Sequence, residues 1–231
     1  MNKVLITGSS HGIGKATAEL FIFKGFEVIG IDREPTSIID SSYVHYRVDI
    51  QDKFNLPELS GIRYIINNAG VLYDIDEPMQ NNLYGAFNIE DMYIKENLES
   101  LEAIVNLSSI AALDGQDERE YVCSKGAIIS YTIYLANELA NWGVRVNCII
   151  PGAGYTDMNK LYIEDPEVYK EVGEQNLLKR WGQPTENAKA IYFLCVDATF
   201  TTGETLKVDG GELIKNRYVR GKGEVRPYDY K

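Results

Sequence analysis

Two stretches of the chain place a tyrosine four residues before a lysine. EYVCSKGA (120–127) holds Tyr121 and Lys125, and YVRGK (218–222) holds Tyr218 and Lys222. On a helix, that spacing puts both side chains on one face. The chemistry available to such a pair is proton transfer. A free phenol has a pKa of about 10, too high for a base at neutral pH. An ammonium about 4 Å away, at an effective dielectric near 20, favours the phenolate by about 4 kcal/mol before burial opposes it. The phenol can then trade a proton with an alcohol or carbonyl oxygen. With 16 Tyr among 231 residues, spacing alone leaves both pairs open. Their surroundings must decide.

Strand and helix signals alternate along the chain without repeats or low-complexity linkers. KVLIT (3–7), FEVIGI (26–31), YVHYRVDI (43–50), RYIINNAG (63–70), LEAIVNLSS (101–109), VRVNCIIPG (144–152) and TLKVDGG (205–211) read as strands. Gly14 to Lys24, 121–142 and 185–196 read as helices. Nearly continuous apolar strands separated by helices predict a Rossmann-type, doubly wound parallel β-sheet of about seven strands, with helices on both faces. The length fits one α/β domain over 1–211, followed by a basic tail over 212–231.

The first strand runs into TGSSHGIG (7–14), with Gly8, Gly12 and Gly14. Glycines serve many turns, but this turn follows a strand and opens a helix at the first crossover. There the helix N-terminus offers free N–H groups and a positive dipole end to a pyrophosphate. Asp32 lies 18 residues after Gly14, at the end of the second strand, where a carboxylate accepts from adenosine ribose hydroxyls and repels a 2′-phosphate. That favours NAD. The adjacent Arg33 argues for NADP, since a guanidinium can hold the phosphate.

Composition closes off other classes. Net charge is −11, with 6 basic and 3 acidic residues over 212–231, leaving −14 on the rest. So acidic a body repels phosphate backbones and argues against a nucleic-acid partner. No apolar run is long enough for a membrane helix. The start, MNKVLITG, lacks a signal-peptide pattern, and the three Cys are widely spaced. A reducing, cytoplasmic location is the expectation. His11 and His45 have no ligand cluster beside them, so no metal site is expected.

At this point the chain resembles the short-chain dehydrogenase/reductase family. TGSSHGIG is similar to its TGxxxGxG turn, NNAG (67–70) to the motif after its fourth strand, VNLSS (105–109) to its serine strand and YVCSK to its YxxxK. PGAGYT (151–156) resembles its PG motif and TTGETLKVDGG (201–211) its closing strand. The blocks keep the family order over residues 3–211, about nine-tenths of the chain, and together they are highly specific. The resemblance implies an NAD(P)-dependent enzyme interconverting a secondary alcohol and a carbonyl. It also selects Tyr121, which opens a helix 12 residues after Ser109. Tyr218 has Gly221 before Lys222 and no serine strand, and reads as an ordinary tail tyrosine.

The implied catalytic set is Ser109 holding the substrate oxygen, Tyr121 exchanging its proton, Lys125 supporting the phenol and the nicotinamide ribose, and Asn82 supporting a water-linked path. Asn81 is a neighbouring alternative for that last role. Implied cofactor contacts are Gly8, Ser9, Ser10, His11, Gly12, Ile13 and Gly14 at the pyrophosphate, and Asp32 and Arg33 at the ribose. Asp49 and Ile50 would lie at the adenine, and Asn68, Ala69 and Gly70 along the ribose wall. Pro151, Gly152, Gly154 and Thr156 would lie at the carboxamide. The equivalent of helix 121–142 packs on a partner subunit in this family, which implies a homotetramer, with a dimer as the alternative.

Departures are visible too. The stretch between Asp32 and Asp49 leaves little room for a second helix. The segments between Asp49 and Asn67, and between Gly70 and Asn82, are also short. The charged loop IAALDGQDERE (110–120) and the polar segment after the PG motif, where the family builds a lid, suggest a polar alcohol or ketone such as a polyol, sugar derivative or cyclic diol. Two other readings remain. One is an NADPH-dependent 3-oxoacyl-(acyl-carrier-protein) reductase, which an acidic body fits poorly. The other is a dinucleotide-binding regulator without turnover, which would need the glycine turn but not Ser109, Tyr121 and Lys125.

Overall fold

Each apolar run buries both of its faces. In β1 (Lys3–Thr7), Val4 and Ile6 point to one side and Leu5 to the other, and all three are fully buried. A strand covered on both faces needs no alternation of apolar with polar residues. The computed structural model describes residues 2–72 and 78–215. In chain order the major elements are β1, α1 (Gly12–Phe23), β2 (Glu27–Asp32), β3 (Tyr43–Arg47), β4 (Ile62–Asn67), α2 (Gly85–Asn97), β5 (Ala103–Leu107), a short α3 (Ala111–Asp114), α4 (Arg119–Glu138), β6 (Arg145–Pro151), α5 (Lys160–Glu164), α6 (Pro166–Gly173), α7 (Pro184–Tyr192) and β7 (Thr205–Val208). The seven strands form one parallel sheet ordered β3-β2-β1-β4-β5-β6-β7.

Two apolar layers cover the sheet. On one face, Ala18 and Phe21 of α1 and Ile191 of α7 pack with Val4, Ile6, Val28, Tyr64 and Val105. On the other, Ile89 and Tyr93 of α2 and Leu135 and Ala136 of α4 pack with Leu5, Ile29, Ile65, Ile104 and Val146. Full burial of one such large side chain contributes about 1.5–3 kcal/mol, so both layers are needed to hold the sheet.

Element boundaries differ from the sequence reading where a terminus depends on distant contacts. The third strand stops at Arg47, and the Val48 N–H makes the last ladder bond, to the Asp32 carbonyl at 2.9 Å. α1 starts two residues early, at Gly12. α4 starts at Arg119 and ends at Glu138, followed by a 3₁₀ turn over Ala140–Trp142. The helix read over 185–196 is α7 plus a π-helical turn, Phe193–Asp197. The shortened connections are as expected: no helix joins β2 to β3, and a single 3₁₀ turn, Lys53–Asn55, precedes β4. Beyond Gly211 the chain stays on the domain through Lys215. Tyr218, Gly221 and Lys222, and with them most of the basic tail, lie outside the described residues.

Candidate active site

A cleft of 1060 Å³ runs across the C-terminal ends of the strands, where the order reverses between β1 and β4. Doubly wound sheets place ligands at such a switch point. One end is the glycine turn after β1. Gly8 and Gly12 adopt φ of +66° and +52°, the left-handed region that side chains avoid. A Cβ on Gly8 would lie 2.7 Å from Asn68 Nδ2, and one on Gly14 only 2.0 Å from the Gly8 carbonyl oxygen. α1 therefore starts hard against the turn, and no side chain caps its first N–H groups. Uncapped N–H groups and a dipole end facing a cleft suit a phosphate.

Behind this turn stand residues that the sequence had placed on the cofactor. Ser9 and Ser10 are 0% and 1% exposed and do not line the cleft. The Ser9 hydroxyl pairs with the Tyr43 hydroxyl at 2.9 Å, and Ser10 Oγ donates to the Glu34 carbonyl at 3.0 Å. Gly14 likewise stands behind the wall. The serines lace the turn to β3 and to the loop after β2, and Gly14 permits the close approach of α1. The partner of Ser9 lies 34 residues downstream, so local spacing carries no sign of it.

Asp32 does line the cleft, half-buried, beside Arg33, Asp49 and Ile50. Its Oδ2 accepts from the Ser10 N–H and its Oδ1 from the Glu34 N–H, both at 2.9 Å. Each oxygen keeps a further lone pair for a hydroxyl donor. Asn68, Ala69 and Gly70 form the next stretch of wall, and Asn68 Nδ2 donates to the carbonyls of Thr7 and Gly8 at 2.9 Å. Pro151, Gly152, Gly154 and Thr156 line the cleft too, as do His11 and Ile13 of the turn.

At the other end, β5 and α4 bring Ser109, Tyr121 and Lys125 into the same cleft. Tyr121 sits in the first turn of α4 and is 7% exposed, and Lys125 one turn later is 5% exposed. The Lys125 ammonium donates to the Leu107 carbonyl at 3.0 Å and stands 5.7 Å from the centre of the Tyr121 ring. Burial pushes the Tyr121 phenol up to about 12, hydrogen bonding with Ser109 pulls it down, and the Asp117 carboxylate raises it further. Burial also pushes Lys125 down to about 8. Burial is the largest influence on the phenol, and it favours the protonated form.

Asn82 occupies a π-helical turn, Met79–Tyr84, ahead of α2. It does not line the cleft. Its Oδ1 accepts from the Val71 N–H at 2.8 Å, and its Nδ2 donates to the Val71 carbonyl and to Ser124 Oγ, both at 3.0 Å. Ser124 Oγ in turn donates to the Tyr121 carbonyl at 2.8 Å. A Cβ on Gly70 would be 3.1 Å from Lys125 Nζ and 3.2 Å from Asn82 Oδ1, so the two residues flank Gly70. Asn81 lines the cleft directly.

Several cleft residues carried no motif. Asp114, Gln116 and Asp117 come from the charged loop after Ser109, Trp181 from the segment before α7, and Glu212 directly follows the closing glycines. Glu212 Oε2 accepts from the Ala153 N–H at 3.2 Å, which fixes it against the PG turn. Burial raises the carboxyls of both Asp117 and Glu212 above their ordinary range. Among the described residues no group of side chains could hold a metal ion, and no helix is long and apolar enough to cross a membrane.

Comparison with known proteins agrees with this geometry. Residues 64–212 match the family model described as Enoyl-(Acyl carrier protein) reductase. The chain is 30% identical to 3-oxoacyl-(acyl-carrier-protein) reductase of Thermotoga maritima, over 91% of this chain and 97% of that one. It is 33% identical to glucose 1-dehydrogenase of Gluconobacter oxydans, over 90% and 91%. The solved aldohexose dehydrogenase of Thermoplasma acidophilum superposes with a TM-score of 0.86 at 27% identity, covering 96% of this chain and 97% of that one. Other structures of this fold hold NADH, NADP or NADPH.

Proposed function

The chain belongs to the short-chain dehydrogenase/reductase family, whose members couple a secondary alcohol and a carbonyl to NAD(P), and within that chemistry we propose that Ser109, Tyr121 and Lys125 do the catalytic work. One observation carries the reading. These three side chains line the same cleft as the glycine turn and Asp32, so a dinucleotide laid along it reaches the phenol. The residues fit that occupant. The turn from Gly8 to Ile13 would hold the pyrophosphate, Asp32 the adenosine ribose, Asp49 and Ile50 the adenine, and Asn68 to Gly70 the inner wall. Pro151, Gly152, Gly154 and Thr156 would hold the carboxamide end, where the bound nicotinamide supplies or takes the hydride.

The protein's own share is to orient the substrate and move a proton. Ser109 holds the substrate oxygen. Tyr121, protonated when no ligand is bound, gives its proton to that oxygen in reduction and takes it back in oxidation. Lys125, anchored on Leu107, supplies the positive charge that steadies the phenolate, and keeps two N–H donors for a ribose. Asn82 acts through Val71 and Ser124, as a clamp on the cleft wall beside Gly70 and on the start of α4.

The substrate end is acidic. Asp114, Asp117 and Glu212 line it together with Gln116 and Gln175, while Lys125 and Lys215 supply the cations there. Such a wall accepts hydrogen bonds from hydroxyls and repels anions, which favours a neutral polyhydroxylated alcohol or ketone over an acyl chain on an acidic carrier. Cofactor choice follows from Asp32, whose fixed carboxylate disfavours a 2′-phosphate, so NAD is preferred. A homotetramer, or failing that a dimer, would cover Tyr84, Ile133 and Tyr134, which lie exposed on and beside α4. The three free cysteines accord with a reducing cytoplasm.

A panel of sugars, polyols and their ketones, followed by absorbance of the reduced nicotinamide with each cofactor, tests this reading. Turnover with NAD exceeds that with NADP, and Asp32→Ala narrows the gap by about tenfold or more. Silence with every substrate and both cofactors would favour a non-catalytic dinucleotide sensor. A native preference for NADPH would give Arg33 the deciding role.

A further inference from the structure

Glu90 lies in the middle of α2 and is 3% exposed, yet it forms no salt bridge among the described residues. Its Oε1 accepts from Asn67 Nδ2 at 3.2 Å, and its Oε2 accepts from the Tyr131 hydroxyl of α4. Asn67 Nδ2 also donates to Asn106 Oδ1 at 2.9 Å. Asn106 Nδ2 donates to Thr132 Oγ1 at 3.0 Å, and Thr132 donates to the Ile128 carbonyl at 2.8 Å. One buried polar belt therefore ties α2, β4, β5 and α4 together, and the proton transfer proposed above uses none of it.

The belt ends where the cofactor wall begins. Asn67 closes β4, and the next three residues are Asn68, Ala69 and Gly70. The N–H groups of Asn68 and Ala69 both donate to Thr7 Oγ1 at 3.1 Å, locking this wall to β1. Asn67 Oδ1 is itself buried without a partner, so the side chain is held through its amide nitrogen alone. We infer that Glu90 is a positioning residue for cofactor binding: through Asn67 it sets the end of β4 from which Asn68 to Gly70 enter the cleft.

Among the described residues, no cation pairs with Glu90. Asp91, on its own helix, adds negative charge. Tyr131 from α4 and Asn67 from β4 offer neutral donors, which favour the ionised carboxyl, while Asn106 and Thr132 behind them are uncharged. Burial is the largest influence and holds this carboxyl well above the ordinary 4.5, with Asp91 adding to it and the Asn67 hydrogen bond opposing. The sign for stability follows. Between 4.5 and the higher folded value the native state keeps a proton that the unfolded chain has lost. Stability from this group is complete below 4.5 and drains away as pH rises through that window.

Three proteins test the inference: native, Glu90→Gln and Glu90→Ala. Gln reproduces the shape and neutrality of the protonated acid, so it should bind NADH within about threefold of native. Ala leaves one Asn67 N–H and the Tyr131 hydroxyl without their carboxyl partner and should weaken NADH binding by about tenfold, with kcat at saturating cofactor changed less. Without any cofactor, the Tm of the native protein relative to Glu90→Gln should fall as pH is raised from about 5 to about 9. Other titrating groups, Lys125 included, cancel in that difference.

A folded Glu90→Gln that loses NADH as badly as Glu90→Ala would overturn the neutral-acid role. Native-like NADH binding by Glu90→Ala would overturn the positioning role. A Tm difference that stays flat with pH would show that the carboxyl ionises freely in the fold. If Glu90→Ala does not fold, the Gln variant and the Tm series still decide. The inference rests on the cofactor reading of the cleft. Failure of the native protein to bind NADH would sink that reading, while the Tm series would still report on Glu90's proton.

Discussion

In the proposed mechanism Tyr121 sets the working pH, from a buried position that opposes ionisation. Burial is the main cause of its pKa near 12, and Asp117, four residues earlier in the loop before α4, adds to it. Asp117→Asn removes that charge, so the phenolate becomes easier to form. Alcohol oxidation needs the phenolate, and its kcat/KM climbs with pH towards the tyrosine's pKa. The rising limb in Asp117→Asn should therefore move to lower pH by several tenths of a unit. A limb that stays in place or moves up would mean that Asp117 does not act on the phenol. The Tyr–Lys spacing and the serine strand made this site legible in the sequence. The weight of burial on the phenol was not, because the depth of a side chain depends on Leu72, Ala111 and other neighbours that pack around Tyr121 from elsewhere in the chain.

At the scale of elements, the cleft depends on how tightly α1 follows β1. Gly14→Ala puts a methyl 2.0 Å from the Gly8 carbonyl, and backbone must move to admit it. The variant should lose about 1–3 kcal/mol in denaturant melts, and NADH affinity with it. Unchanged stability would mean that the turn and helix are loosely coupled. The strands were legible because both faces are buried and the apolar runs are continuous. The missing helix after β2 was legible from chain length alone. Helix ends were less so. The π-helical turns at Met79–Tyr84 and Phe193–Asp197 extend elements where distant contacts, not local propensity, set the terminus. Ser9 and Ser10 read as pyrophosphate contacts from their motif and Glu90 carried no signal, and only contacts with β3, β4 and α4 reveal all three as buried.

At the scale of the molecule, the acidic body and the exposed aromatics beside α4 set its associations. Tyr84 and Tyr134 are 46% and 56% exposed, and Phe87 and Tyr131 pack between them. Light scattering at micromolar concentration should report a tetramer or a dimer, and a monomer would contradict the assembly proposal. The central claim is that one of two tyrosine–lysine pairs does the chemistry. It is tested most directly by comparing kcat/KM of native protein, Tyr121→Phe and Tyr218→Phe on a substrate that turns over, with NADH binding measured in parallel. Tyr121→Phe keeps the ring and its packing but removes the exchangeable proton. Activity should fall by about 10²–10⁴-fold while NADH binding stays largely intact, and Tyr218→Phe should match the native protein. Equal activity in the two phenylalanine variants would contradict the assignment of Tyr121 and require another source for the proton.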